Sequence, residues 1–250
     1  MRVRLARTTV FAMSKIAVVY YSATGHVYEM AEALGKGAKD AGAEVRLRRV
    51  AELAPEEVIR RQDAWREHHE ATLPLVTEAR LEDLEWADGF AFGSPTRFGL
   101  PAAQLKEFID QTGPLWVRGQ LANKVATSFT SSQNAHGGQE STLLALNNVF
   151  YHWGCVIVPP GYTHAVVAAA GGNPYGASYP AGAGEAVSAE ALTAAHYQGY
   201  RLAQYAGRLV TRTAGPAGPP DGASRNPLAL DPYDPPHPSR FAWQARHASP

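Results

Sequence analysis

The sequence predicts an α/β protein built on a doubly wound, five-stranded parallel sheet with helices on both faces. The first observation behind this prediction is an alternation of strand-like and helix-like segments between residues 14 and 210. The second is the segment Lys15–Tyr21, whose near-continuous β-branched and aromatic residues are typical of a strand buried on both faces. Strands that alternate with helices along the chain pair in parallel, and right-handed crossovers leave few ways to wind them.

The first half of the chain is expected to contain three strands and three helices. The second strand, Ala43–Val50, alternates apolar and charged residues, which predicts a half-exposed position. A polar helix is expected over Pro55–Glu70, a short buried strand over Asp88–Gly93, and another helix from Pro101 onward. The helix after the first strand is predicted from apolar residues at helical spacing: Val27, Met30, Ala31, Leu34 and Ala38.

The second half is expected to add two strands and two helices. The strands are predicted over Lys124–Ser131 and Cys155–Val158, and a glycine-rich stretch follows over Gly171–Gly184. Ser188 is a candidate N-cap for the last helix. The helix between the two strands has one apolar stripe, formed by Leu143, Leu146, Phe150 and Trp153. The last helix has a longer one, formed by Leu192, Ala195, Gly199, Leu202, Ala206 and Leu209.

The segments on either side of residues 14–210 are expected to lie outside the folded domain. Residues 1–13 carry three arginines and end at a second methionine, so they are expected to be a disordered arm or an upstream start. Nine of the 18 prolines follow Thr211. A segment so rich in proline sustains neither a helix nor a central strand, so residues 211–250 are expected to be a mostly disordered tail.

Composition excludes several classes of protein. The chain has 250 residues, with 23 Lys and Arg against 23 Asp and Glu, so its net charge is zero. This balance argues against nucleic acid as a partner, because binding it requires a dense basic face. No membrane span is expected, the single cysteine needs no oxidising compartment, and the cytoplasm is the expected location. No metal site is predicted either, and His68-His69 is expected to be solvated.

The loops after the first, third and fourth strands are expected to form the ligand site, because ligands of doubly wound sheets bind at the carboxyl ends of the strands. The first loop offers two hydroxyls, a glycine and the free N–H groups of a helix start. Without Lys or Arg, these groups favour a monophosphate over a Mg-nucleotide. A helix cap without a ligand is the alternative interpretation. The residues of this loop are Ser22, Ala23, Thr24, Gly25, His26 and Val27.

The second and third loops suit a planar ring. In the second, Pro95 stiffens the chain, while Arg97 and Phe98 offer a fixed charge and a ring, although an exposed loop arginine is often simply solvated. The third supplies hydroxyls, an amide and glycines that let the backbone approach closely. Together the three loops predict a phosphorylated, flat aromatic cofactor. The residues of the third loop are Ser131, Ser132, Gln133, Asn134, Ala135, His136 and Gly137.

The sequence resembles the WrbA-type (tryptophan-repressor-binding-protein-like) NAD(P)H:quinone oxidoreductases, which are FMN proteins of flavodoxin-like fold. The resemblance spans roughly residues 15–210. The stretches that carry it are Tyr20–His26, Gly93–Gly99, Asp110–Trp116, Gly137–Glu140, Val156–Pro159, Gly161-Tyr162 and Asn173–Gly176. It implies that the first loop binds the FMN phosphate and that the third contacts the polar edge of the ring. It further implies that the isoalloxazine is lined by Pro95, Thr96, Arg97 and Phe98.

The resemblance also implies roles for residues outside these loops. His152 would reach the flavin from a neighbouring subunit of a homotetramer, and Trp116 would lie at the substrate mouth. Arg97 and His152 are therefore the candidate catalytic residues. The glycine-rich stretch Gly171–Gly184 is a candidate for contact with a neighbouring subunit.

The predicted activity is FMN-dependent, two-electron reduction of quinones to hydroquinones, with NADH or NADPH as the donor and ping-pong kinetics. Arg97 would stabilise the negative charge that develops during hydride transfer. Two alternatives are a flavodoxin-type electron carrier, which the zero net charge disfavours, and a regulatory or binding flavoprotein without turnover. A steady-state assay with NADH, NADPH and benzoquinone separates the three.

Overall fold

The computed structural model describes residues 13–182 and 184–213. These residues contain one mainly parallel sheet. Its five main strands are β1 (Lys15–Tyr20), β2 (Glu44–Arg49), β3 (Gly89–Arg97), β5 (Val125–Ser132) and β6 (Val156–Ile157). Two short strands are β4 (Leu100–Pro101), antiparallel to β3, and β7 (Ser178–Pro180), parallel to the end of β5. The order β2-β1-β3-β5-β6 confirms the predicted five-stranded, flavodoxin-like winding. The two short strands were not predicted.

Helices cover both faces of this sheet. Their bounds are α1 His26–Asp40, α2 Glu56–Ile59, α3 Asp63–Thr72, α4 Leu81–Trp86, α5 Ala103–Asp110, α6 Gly113–Val117, α7 Gln139–Trp153, α8 Ala165–Ala169 and α9 Ala189–Thr213. Ser188 caps α9 as predicted, because its Oγ accepts a hydrogen bond from the Ala191 N–H. The helix extends three residues into the predicted tail. The rest of that tail, and the predicted arm except Met13, lie outside the described residues.

The two faces of the sheet bury separate apolar clusters, because successive side chains of a strand point to opposite sides. On one face Ile16 and Val18 pack with α1 and α9. On the other, Ala17 and Val19 pack with the aromatic residues of β3 and with α5 and α7. Burial of the central strands on both faces explains why their sequences are almost continuously apolar.

Two predicted helices differ from the structure. The polar helix expected over Pro55–Glu70 is divided into α2 and α3, because Gln62 has extended backbone angles (φ −126°, ψ 106°). The helix expected from Pro101 begins instead at Ala103. Pro101 belongs to β4, where its missing N–H is tolerated at the edge of a short hairpin.

The crossing of α1 and α9 depends on two glycines. A Cβ atom at Gly37 would lie 1.8 Å from the carbonyl oxygen of His196, and one at Gly199 would lie 1.9 Å from that of Leu34. Both obstacles are backbone atoms, so no side-chain rotation can relieve the clash. The helices therefore approach each other more closely than any larger residue at these positions would permit.

We expect Gly199→Ala to lower the free energy of unfolding by about 1–3 kcal/mol, because the added methyl group forces α1 and α9 apart. Gly35→Ala is the matched control, since a Cβ there would lie at an ordinary 3.5 Å from Val45 Cγ1. Alanine within a helix is favoured over glycine by about 0.5–1 kcal/mol, so the control should not lose stability. Urea denaturation of both variants tests this; equal effects would show that the crossing is not tight.

Candidate functional site

The three predicted loops meet at the carboxyl-end edge of the sheet. The Tyr21 N–H donates to the Gly93 carbonyl oxygen (3.0 Å), which joins the ends of β1 and β3. Pro95 lies opposite Ser131 in the register of β3 and β5. The predicted grouping of these loops therefore agrees with the topology, in which β1 and β3 flank the point where the strand order reverses.

The first loop is shaped as an anion site. Gly25 opens α1 with φ of 100°, a backbone conformation that favours glycine, and its N–H donates to Ser22 Oγ (3.1 Å). The exposed Thr24 adds a second hydroxyl, 3.1 Å from His26 Nδ1. The first amides of a helix have no partners within it, so they are available to an anion.

Three residues of the predicted phosphate loop have buried side chains. Ala23 and Val27 are buried in the two apolar clusters, so only their backbone is available to a ligand. His26 is also buried, and its Nε2 lies 2.9 Å from the Glu185 carbonyl oxygen. His26 thus links the loop to the segment that precedes α9.

The second loop is a tight hairpin between β3 and β4 with Phe98 and Gly99 at its turn. Both residues have positive φ, 53° for Phe98 and 80° for Gly99, as a two-residue type I′ hairpin turn requires. A phenylalanine in this conformation is strained, yet its side chain is fully exposed at 104%. The neighbouring Arg97 is exposed and donates to the Thr96 carbonyl oxygen (3.1 Å). A strained, solvent-facing aromatic ring at a ligand edge favours contact with a planar ligand.

The third loop combines buried hydroxyls with an exposed tip. Ser131 and Ser132 are buried, and Ser132 Oγ donates to the Asn134 carbonyl oxygen (2.6 Å). The side chains of the tip are exposed: Gln133, Asn134, Ala135 and His136. At the end of the loop, the backbone of Gly137-Gly138 approaches the second loop so closely that a Cβ at Gly138 would lie 2.8 Å from Gly99 Cα.

His152 and Trp116 do not lie at this edge within one chain. The third loop leads into the first turn of α7, and His152 lies in its last turn. The 15 residues of this helix give it a length of about 22 Å, which separates His152 from the loop. The Trp116 indole N–H donates to the His152 carbonyl oxygen (2.8 Å), so these two predicted residues contact each other. They can reach the three-loop edge only from a second copy of the chain.

A hydrogen-bonded cluster that the sequence does not predict surrounds Glu52 beside the first loop. Its carboxylate accepts from Tyr21 Oη (2.9 Å), Trp65 Nε1 (3.1 Å), Gln104 Nε2 (2.7 Å) and the Ala54 N–H (3.0 Å). Burial, followed by the Glu52 charge, raises the pKa of Tyr21 above its ordinary value, so its hydroxyl remains a donor. These residues come from separate parts of the chain, and no spacing in the sequence relates them.

We expect Glu52→Gln to lower the free energy of unfolding by about 1–3 kcal/mol. The new amide would place an N–H₂ group against side chains that donate, leaving at least one buried donor without an acceptor. Urea denaturation measures the loss. Glu57→Gln, an exposed substitution on α2, is the control and should change stability little. A loss no larger than that of the control would contradict a structural role for the cluster.

Other features of the described residues add no second site. Within residues 13–182 and 184–213, no group of three or more His, Cys, Asp and Glu side chains is placed to hold a metal ion. In the same ranges, no helix is both long and apolar enough to cross a membrane. Burial raises the pKa of Cys155 to about 12, which makes this thiol unreactive at neutral pH.

Comparisons with known proteins cover the segment that carries the three loops. The family model for NADPH-dependent FMN reductases matches residues 14–170. An NAD(P)H dehydrogenase (quinone) of Deinococcus radiodurans is 52% identical over 167 residues, covering 67% of this chain and 83% of the relative. One of Sinorhizobium fredii is 44% identical over 203 residues, covering 79% and 99%. The crystal structure of a flavodoxin, WrbA-like protein from Agrobacterium tumefaciens matches with a TM-score of 0.55 and 26% identity, covering 78% and 98%.

Proposed function

Because the chain belongs to the NADPH-dependent FMN reductase family, and within it to the WrbA-type proteins, we propose that it is an FMN-dependent NAD(P)H:quinone oxidoreductase. The observation that carries this proposal is the edge where an anion site, formed by α1 and its preceding loop, lies near the strained, exposed Phe98. A mononucleotide with a planar ring requires both features. We also propose a cytoplasmic location, since the single cysteine needs no oxidising compartment.

The residues at this edge fit FMN. The first loop offers hydroxyls, main-chain amides and a helix N-terminus to a phosphate without a cationic side chain. The second offers a ring and a guanidinium to the isoalloxazine, and the third offers polar groups and close backbone approach. We propose as FMN-binding residues Ser22, Ala23, Thr24, Gly25, His26, Val27, Pro95, Thr96, Arg97, Phe98, Ser131, Ser132, Gln133, Asn134, Ala135, His136 and Gly137.

The chain's own residues position the reactants and stabilise charge. When bound, FMN supplies the chemistry of accepting a hydride from NAD(P)H and passing two electrons to a quinone. Arg97 places a permanent positive charge at the ring-binding loop, where it stabilises developing negative charge. The Phe98 ring covers apolar ligand surface and excludes water from it. We propose that donor and quinone occupy the same mouth in turn, which gives ping-pong kinetics.

We further propose a homotetramer in which His152 and Trp116 of one subunit complete the mouth of a neighbour's site. The surface around these residues supports it, since Val117 is 66% and Tyr151 68% exposed, and exposed apolar patches mark interfaces. Sedimentation should show a tetramer. Mixing Arg97→Met and His152→Ala subunits should restore part of the activity, because some sites then combine intact residues of both chains. A monomer with full activity contradicts this arrangement.

A steady-state assay tests the proposed function. Protein reconstituted with FMN should turn yellow and should oxidise NADH or NADPH when benzoquinone is present, with parallel double-reciprocal plots. A colourless preparation would exclude a flavoprotein. Flavin binding without NAD(P)H oxidation would instead favour an electron carrier or a binding protein.

A further inference from the structure

Helix α3 packs against the first loop through His68. If Gly25 had a Cβ atom, it would lie 3.6 Å from His68 Nδ1, so the imidazole lies beside the glycine that opens α1. The His68 ring is also 5.6 Å from the ring of Tyr28, in the first turn of α1. His68 was expected to be solvated, but it is partly buried against the loop proposed to bind phosphate.

A small cavity of about 20 Å³ lies between α3 and this loop, with His68 and Ser22 among its lining residues. It has room for one water molecule. The buried hydroxyl of Tyr20 lines the same cavity and has no hydrogen-bond partner in the part of the chain that the structure describes. The space behind the loop is therefore polar, and an unused hydroxyl and an imidazole are available there.

We infer that His68 is a positioning residue of the phosphate end of the flavin site, which takes up a proton when a phosphate dianion binds and so strengthens FMN binding at low pH relative to a protein without this imidazole. This inference rests on the proposed function, because it concerns the same site. It adds a residue outside the three loops and a dependence of cofactor affinity on pH.

Burial and two neighbouring histidines favour the neutral form of His68 in the absence of a ligand. Burial, and then the neighbouring His69 and His26, lower the pKa of His68 to about 4. The other titratable or charged groups nearby are Tyr28 and Glu29 of α1, Tyr20 of β1, Tyr21 after it, Arg49 of β2 and Glu52 after β2. The only cation among them, Arg49, is engaged by the Val76 carbonyl oxygen and Glu78.

A bound phosphate dianion favours the protonated form of His68 instead. An opposite charge within about 4–6 Å typically raises the pKa of a histidine by about one to three pH units. Protonation then becomes favourable only in the complex, so binding takes up a proton as pH falls. With an increase in the middle of that range, FMN affinity should rise about tenfold between pH 7 and pH 5, relative to a protein without this imidazole.

Flavin titrations at pH 7 and pH 5 test the inference, with fluorescence quenching as the readout. The proteins are the wild type, His68→Gln and the control His164→Gln, which replaces an exposed histidine that does not line this cavity. The ligands are FMN and riboflavin, which lacks the phosphate. The FMN phosphate itself titrates with a pKa of about 6, so its protonation removes part of the dianion at pH 5 in every protein. The contribution of His68 is therefore measured as the difference between wild type and His68→Gln at each pH. Calorimetry in two buffers counts the protons taken up.

We expect the FMN affinity of the wild type to exceed that of His68→Gln by a factor about tenfold larger at pH 5 than at pH 7, and we expect His164→Gln to behave as the wild type. Riboflavin binding should be insensitive to both substitutions, which also shows that the variants are folded. If wild type and His68→Gln respond to pH alike, or if riboflavin shows the same response, the inference about His68 is wrong although the proposed function stands. If neither flavin binds the wild type, the proposed function itself fails, and the inference fails with it.

Discussion

Phe98→Asn is expected to stabilise the flavin-free protein while weakening FMN binding about tenfold. Phe98 has φ of 53°, and a left-handed conformation costs a residue with a bulky side chain about 1–2 kcal/mol. Asparagine accepts this conformation at lower cost. The lost ring removes about 1.5 kcal/mol of aromatic packing from the complex, which corresponds to roughly tenfold in affinity. Thermal denaturation without flavin and fluorescence titration with FMN measure the two effects.

The opposite signs of these two effects separate a ligand contact from a structural role. Leu75→Asn is the control, because Leu75 is 73% exposed and lies after α3, outside the three loops. It should change neither property by much. A loss of stability in Phe98→Asn, or unchanged FMN affinity, would show that the exposed ring does not serve the ligand.

Arg97→Met is expected to reduce kcat/KM for quinone reduction about 100-fold and to leave folding stability nearly unchanged. Removing one group that stabilises developing negative charge typically costs about 10²–10³ in rate. The guanidinium is exposed and donates to a backbone carbonyl one residue away, so little of the fold depends on it. Steady-state kinetics and thermal denaturation on the same preparation measure both quantities.

Two further variants make this experiment specific. Arg97→Lys retains the charge without the planar fork and should recover part of the rate. Arg61→Met removes an exposed arginine near α2 and controls for the change in net charge. If Arg97→Met matches this control in rate, Arg97 is only a solvated loop residue, as such arginines often are.

The predictable parts of the fold are those in which a strong local pattern and tertiary burial agree. The run Lys15–Tyr21 and the stripe of α9 predict structure because a buried strand and an amphipathic helix place their apolar residues periodically. The division of α2 from α3 at Gln62 has no comparable signal, since a polar surface helix and two shorter ones have similar sequences. The hairpin at Phe98 was not predicted either, because two-residue turns usually have Asn or Gly at the first position and this one has Phe.

The sequence alone determined the alternation of strands and helices, and it predicted that three loops at one edge of the sheet form the ligand site. Each of these follows from interactions between residues near one another in the chain, or from a general rule for parallel sheets. Only the tertiary structure decided that the Glu52 carboxylate accepts hydrogen bonds from four donors and that His68 lies beside Gly25. It alone separated His152 from the loops by the length of α7. Contacts between distant segments depend on how the elements pack, and no local pattern of residues records that packing.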